Sequence, residues 1–150
     1  MLTAALVAFG HFLAFFALSA ALVLQMALVA ETMSVEVARR IRRADMVAGL
    51  SAVLLLVFGT LRVMHFEKGP EFYLGNLFFQ IKMSLFVLAA LTSIYPTIRF
   101  RRWGAELARD NPPRPDATEV RRLKQAIHWE LVFIGGMLVC ASLMAKGFGS

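Results

Sequence analysis

The sequence predicts an all-α integral membrane protein, a four-helix bundle with both termini on the side away from the cytoplasm. Three observations predict it. Of the 150 residues, 59% are apolar and only 17% are charged, against about 25% charged in soluble domains. A soluble chain of this size has too little interior to hide so much apolar surface. The apolar residues gather into separate runs, and the basic residues concentrate in two of the connections between them. The expected organisation is a single transmembrane domain, 1–150, with spans near 5–30, 45–65, 78–98 and 127–146.

The first run, Leu2 to Ala30, contains no charged residue. At about 1.5 Å rise per residue it is ample for a hydrocarbon core of about 30 Å. It lacks a basic leading segment and is too long for a secretory leader, and Leu28 fits a small-x-small cleavage site poorly. It is expected to be a retained anchor. Glu31 to Asp45 reads as a charged connection with Arg39, Arg40, Arg42 and Arg43. The second run, Met46 to Leu61, ends at Arg62, and Val63, Met64 and Phe66 extend it if the arginine snorkels outward.

Glu67-Lys68-Gly69-Pro70-Glu71 follows, and its Gly-Pro marks a turn. Tyr73, Phe78 and Phe79 suit the headgroup level. The third span runs from about Phe78 to Ile98, with Lys82 one turn inside and Pro96 expected to kink or end it. Arg99 to Gln125 carries eight Lys or Arg and the loop Asn111-Pro112-Pro113-Arg114-Pro115. Asp116 and Glu119 form an approximate capping box that opens the last helix. The fourth span is about Ile127 to Ala145, with Glu130 near its start and Lys146 at its end.

Orientation follows from the basic residues. Four lie in the first connection and eight in the third, which places both in the cytoplasm and the Gly69-Pro70 turn outside. The formal charge of +6 is therefore a topology signal, and no basic stripe of a nucleic-acid footprint is present. Cys140 is a lone cysteine inside an apolar run and reads as a small buried side chain. Gly49, Ser51, Ala52 and Gly59 are expected to permit close helix approach.

Ionisable residues inside spans are costly, about 2.5 to 3.5 kcal/mol each on insertion scales, and so are functional candidates. At the outer end lie His11, Arg62, His65, Lys82 and Lys146. His11 is the only ionisable side chain of the first 30 residues, and its imidazole needs a polar side chain, a carbonyl or a metal, haem iron included. A packing role and iron ligation both stay open. His65 is either an interfacial histidine or a second axial ligand. Arg62, Lys82 and Lys146 want anions, whether lipid phosphates, Glu67 and Glu71, or porphyrin propionates. Phe9, Phe12, Phe15 and Phe16 surround His11 at helical spacing, suited to plain packing or to lining a macrocycle. No Cys-x-x-Cys-His is present for covalent haem attachment, and the histidines are too dispersed for zinc. At the inner end, Arg43 and Asp45 with Glu130 are expected to form an ion-paired clasp between the second and fourth spans, with a proton path as the alternative. His128 sits beside the basic stretch and suits a surface role.

Two resemblances bear on this pattern. Through His11-Phe12-Leu13-Ala14, Arg43-Ala44-Asp45, Gly59-Thr60-Leu61-Arg62-Val63, Asn76 to Phe86 and Pro96 to Phe100, the chain resembles a family of small bacterial four-helix predicted membrane proteins of unknown function. More distantly it is similar to the bacterial four-helix protoporphyrinogen oxidases that bind b-type haem. The shared features are the early His11, the paired Arg42-Arg43, Leu56-Val57-Phe58-Gly59, Lys82-Met83, Glu130 and the closing Lys146. Gly49-Leu50-Ser51-Ala52 stands where that family has a Met-Thr-Pro-like segment, and phenylalanine and alanine replace its tryptophans in the first helix. The resemblance implies haem b, with His11 on the iron and Lys82 as the catalytic lysine; His65 and Arg62 complete the expected cofactor set. It implies a redox enzyme of the bacterial inner membrane, surrounded by lipid, acting on a porphyrin. The competing expectation is a non-catalytic accessory subunit, packed as a homo-oligomer or within a larger membrane complex. A transporter would show repeated halves with broken helices, and residues 1–75 do not repeat in 76–150.

Overall fold

The computed structural model describes residues 1–66 and 69–149. Their elements are α1 (Leu2–Leu28), α2 (Val35–Leu61) continued by a π-helical turn (Arg62–Phe66), a short α3 (Pro70–Gly75), α4 (Leu77–Leu107) and α5 (Ala117–Ala145). Among the described residues, four helices are long and apolar enough to cross a membrane. With 27 to 31 residues each, they reach about 40 to 46 Å, well beyond a core of about 30 Å. The chain is a multi-pass membrane protein.

The surplus length corrects one expectation. Much of the charged stretch read as a connection is helix, because α2 begins at Val35. The Ser34 hydroxyl accepts from the Val37 N–H at 3.2 Å, and Glu36 receives Arg40 one turn later at 3.1 Å. A cap and an i,i+4 pair suffice to wind a polar segment that water solvates. Pro96 gives a second correction: it does not end the third span. It is fully buried, and α4 continues through it to Leu107.

The predicted capping box forms by half. Asp116 Oδ1 accepts from the Glu119 N–H at 2.7 Å. The Glu119 carboxylate does not turn back on the cap; it takes the Arg99 guanidinium through Nε at 2.8 Å and through Nη2, tying α5 to α4. Arg39 of α2 binds the Leu107 carbonyl at 3.3 Å and Asp110 at 2.6 Å, which closes the end of α4. These ties share one end of the bundle, the basic end. The other holds Met1, the π-helical turn, α3 and Gly149, and is termed the His11 end.

Helices α1 and α2 form one close pair and α4 and α5 the other, and the pairs meet through α1–α5 and α2–α4. The core lies towards the basic end, where Ala38, Ile41, Phe100, Leu123 and Ile127 are wholly inaccessible. Towards the His11 end the packing thins. Among the described residues, nothing is buried in α1 before Ala14, in α2 after Leu55, in α4 before Pro96 or in α5 after Cys140.

Asn76 fastens that end. Its Oδ1 accepts from the N–H groups of Phe78 and Phe79 at 3.0 and 3.2 Å, while Nδ2 donates to the Phe148 carbonyl at 3.0 Å. Asn76→Ala is expected to cost about 1 to 2 kcal/mol, with faster amide exchange in the first turn of α4. Asn76→Asp keeps the cap and is expected to lose only the tie to Phe148.

Candidate functional site

Two groups of polar side chains lie within the membrane-spanning helices. The first is at the His11 end. There α1 and α2 approach through two glycines, each receiving a side chain from the other helix. The Phe58 ring lies so close to Gly10 that a Cβ there would stand 2.8 to 3.0 Å from it, and a Cβ on Gly59 would meet the His11 imidazole at 3.4 Å. Gly59 thus serves close approach as expected; Gly49 does not, since nothing lies within 4 Å of the same position on it. Gly59→Ala is expected to be accepted, because 3.4 Å is at the edge of ordinary contact. Gly59→Leu drives into the imidazole, with an expected loss of about 1 to 3 kcal/mol in thermal unfolding.

His11 Nδ1 is buried and makes no hydrogen bond, although the Leu55 carbonyl interacts with the ring from α2. Lys82 of α4 and Arg62 of the π-helical turn both lie within electrostatic range of the imidazole. Lys82 is half-buried and also within range of Cys140. The Arg62 guanidinium stands 5.4 Å from the centre of the Phe12 ring, a cation–π distance.

His11, Arg62 and Lys82 are therefore brought together from three elements. His65 and Lys146 are both exposed, His65 late in the π-helical turn and Lys146 at the cap of α5. The phenylalanine stripe does not pack on the core as a whole: Phe9, Phe12 and Phe16 are about two-thirds exposed, at 63, 62 and 70%, and face outward. Only Phe15 packs on the core. Glu67, expected as an anion for these cations, and Lys68, counted in the orientation, lie outside the described residues.

The second group surrounds a cavity of about 70 Å³ between all four long helices. Its polar lining is Gln25 of α1, Asp45 of α2, Ser93 and Thr97 of α4, and Glu130 of α5. Thr97 donates to Asp45 Oδ1 at 2.8 Å. Glu130 is 5% exposed and Gln25 only 1%, and Gln25 Nε2 has no hydrogen-bond partner. Here the expected ion-paired clasp is corrected. Arg43 is exposed and forms no ion pair among the described residues, and Asp45 bonds to a hydroxyl of α4 in place of a cation. Arg42 and Arg101 act on Asp45 only at electrostatic range. The Arg42 guanidinium packs over Gly104, whose missing side chain leaves room for it.

Asp45 and Glu130 stood out in the sequence as charges near apolar runs; Gln25, Ser93 and Thr97 did not. Gln25 had a signal, since it continues the buried stripe Ala14, Leu18, Ala21, Leu22 of α1, where a lone amide is out of place. His128 is exposed on α5, lining a shallow groove with Arg121 and Lys124. Among the described residues, no three His, Cys, Asp or Glu side chains gather as metal ligands.

Comparison with known proteins decides the family. The family model described as Predicted membrane protein (DUF2214) matches residues 3–149. The chain belongs to the DUF2214 family. No curated protein matches this DUF2214 chain, and neither does any solved structure.

Proposed function

We propose that this DUF2214 protein binds b-type haem in the cytoplasmic membrane of a bacterium, with His11 on the iron and Arg62 and Lys82 receiving the propionates. The observation that carries the reading is the buried, unpartnered Nδ1 of His11 with two cations in electrostatic range. An imidazole nitrogen without a hydrogen bond in an apolar span calls for a ligand, and the cations add a preference for an anionic one. The thin packing at the His11 end leaves side chains of both helix pairs accessible there. The 70 Å³ cavity is far below the roughly 300 to 1,000 Å³ of ligand pockets, so the reading rests on the His11 end alone.

Haem bound there supplies one-electron chemistry, with its potential set by the axial ligand and by burial. His11, backed by Gly59, would hold the iron; Arg62 and Lys82 would neutralise the propionates; Phe12 covers Arg62 towards lipid. The resemblance to four-helix protoporphyrinogen oxidases makes a porphyrinogen the substrate and gives Lys82 the catalytic role. The positive-inside rule places the basic end in the cytoplasm and the His11 end outside.

The test is an absorption spectrum of detergent-purified protein from haem-replete cells, oxidised and then dithionite-reduced. A Soret band with a reduced b-type α band is expected. A colourless protein would overturn the reading. If it also co-purified only within a larger assembly, the accessory-subunit reading would take its place.

A further inference from the structure

We propose that the cavity between the four long helices is a hydrated proton-exchange site, in which the carboxyl groups of Glu130 and Asp45 take up and release a proton at the basic end. Each long helix supplies a polar group to this cavity: Gln25, Asp45, Ser93 with Thr97, and Glu130. Gln25 and Glu130 are more than nine-tenths buried, and the Gln25 amide nitrogen has no protein acceptor. A buried amide donor, the buried Glu130 carboxyl and the half-buried Asp45 carboxyl around about 70 Å³ meet the conditions for ordered water, which needs a polar, roomy site with two to four partners.

The charges around the cavity select the ion. Asp45 is the charged group that acts on Glu130, and two carboxylates facing one low-dielectric space cannot both stay charged without a counter-ion. From α2, Arg42 acts on Asp45, and from α4 Arg101 does the same, while Thr97 donates to it. The polar group that α1 supplies is the uncharged Gln25. The two arginines repel cations of every kind, but a proton needs only one carboxylate oxygen, whereas a metal ion needs several ligands. Among the described residues there is also no third carboxylate, His or Cys to complete a metal site. A proton passes along water: an O–H bond of hydronium breaks, one forms at a carboxylate oxygen, and a neutral water remains.

Position along the helices sets the direction. Asp45 lies ten residues into α2, counting from Val35, and Glu130 thirteen into α5, counting from Ala117. Both are therefore about 15 to 20 Å from the basic ends of their helices. Beyond the cavity, buried Ala14 and Leu55 separate it from His11, so exchange is with the basic end.

The test is infrared difference spectroscopy of the reconstituted protein during a pH titration, in H₂O and D₂O, with the same run on His11→Ala. A carboxylic-acid C=O band is expected that titrates, shifts on deuteration and shifts again with isotope-labelled glutamate. It should persist in His11→Ala, disappear in Glu130→Gln and change its midpoint in Asp45→Asn. Isotope labelling makes the assignment even if Glu130→Gln fails to fold. No such band over the pH range of the folded protein would overturn the proposal. So would a band indifferent to labelled glutamate, or a carboxylate signal that follows added Na⁺, Mg²⁺ or Ca²⁺ at fixed pH. Persistence of the band in a haem-free protein separates failure of this proposal from failure of the haem reading.

Discussion

His11→Ala is expected to leave the purified protein without its Soret band, while His65→Ala retains it. The two histidines differ in surroundings, not in residue type. The His11 ring is fixed between α1 and α2 with Nδ1 buried and unbonded, whereas His65 is exposed. Loss of even an outer partner of a metal ligand costs about 10 to 100-fold in affinity, so removal of the ligand itself should lower haem occupancy at least that far. Lys82→Gln is expected to weaken retention less, since Arg62 still faces the same region. Lys82→Arg should restore retention if charge alone matters. If Lys82→Arg retains haem but loses porphyrinogen oxidation, the amine has a chemical task as well. Equal haem content in wild type and His11→Ala would remove His11 from the iron.

Phe100→Ala is expected to be the most damaging single truncation in the fold, costing about 3 to 5 kcal/mol. The Phe100 ring of α4 is wholly buried and lies 5.0 Å, centre to centre, from Trp103. The ring lies level with the polar turns of α2 between Arg39 and Asp45, so the loss combines transfer of the ring's surface with vacated van der Waals contact. Phe16→Ala, on a side chain already exposed to lipid, should stay within about 0.5 kcal/mol. Reversible unfolding in mixed detergent micelles measures both. If they cost the same, the core does not lie towards the basic end.

The spans were legible in the sequence because a bilayer imposes a crude rule, some twenty apolar residues at a time. Their ends were not. Val35 to Asp45 is polar yet helical, since the helices outrun the hydrocarbon and water solvates the excess turns. Pro96 misled for another reason. A proline removes one backbone bond, and tertiary packing around a buried residue outweighs that local cost. The charged members of the cavity stood out because any charge within an apolar run does. Gln25, Ser93 and Thr97 join it only through contacts across the bundle, such as Thr97 to Asp45, 52 positions apart. The same limit applied to Arg43: its place two residues before Asp45 suggested a clasp, but two steps along a helix turn a side chain through about 200°, to the opposite face.

The thin packing towards the His11 end has a consequence for how the proposed ligand would reach its site. With α4 burying no side chain before Pro96, the flank beside Lys82 opens sideways into the leaflet. An amphiphile of the kind proposed would reach that flank by two-dimensional diffusion within the lipid, and its supply would follow mole fraction in the membrane more than concentration in water. Saturation curves for this end of the bundle should then collapse onto one another when plotted against surface density, at any dilution of the vesicles.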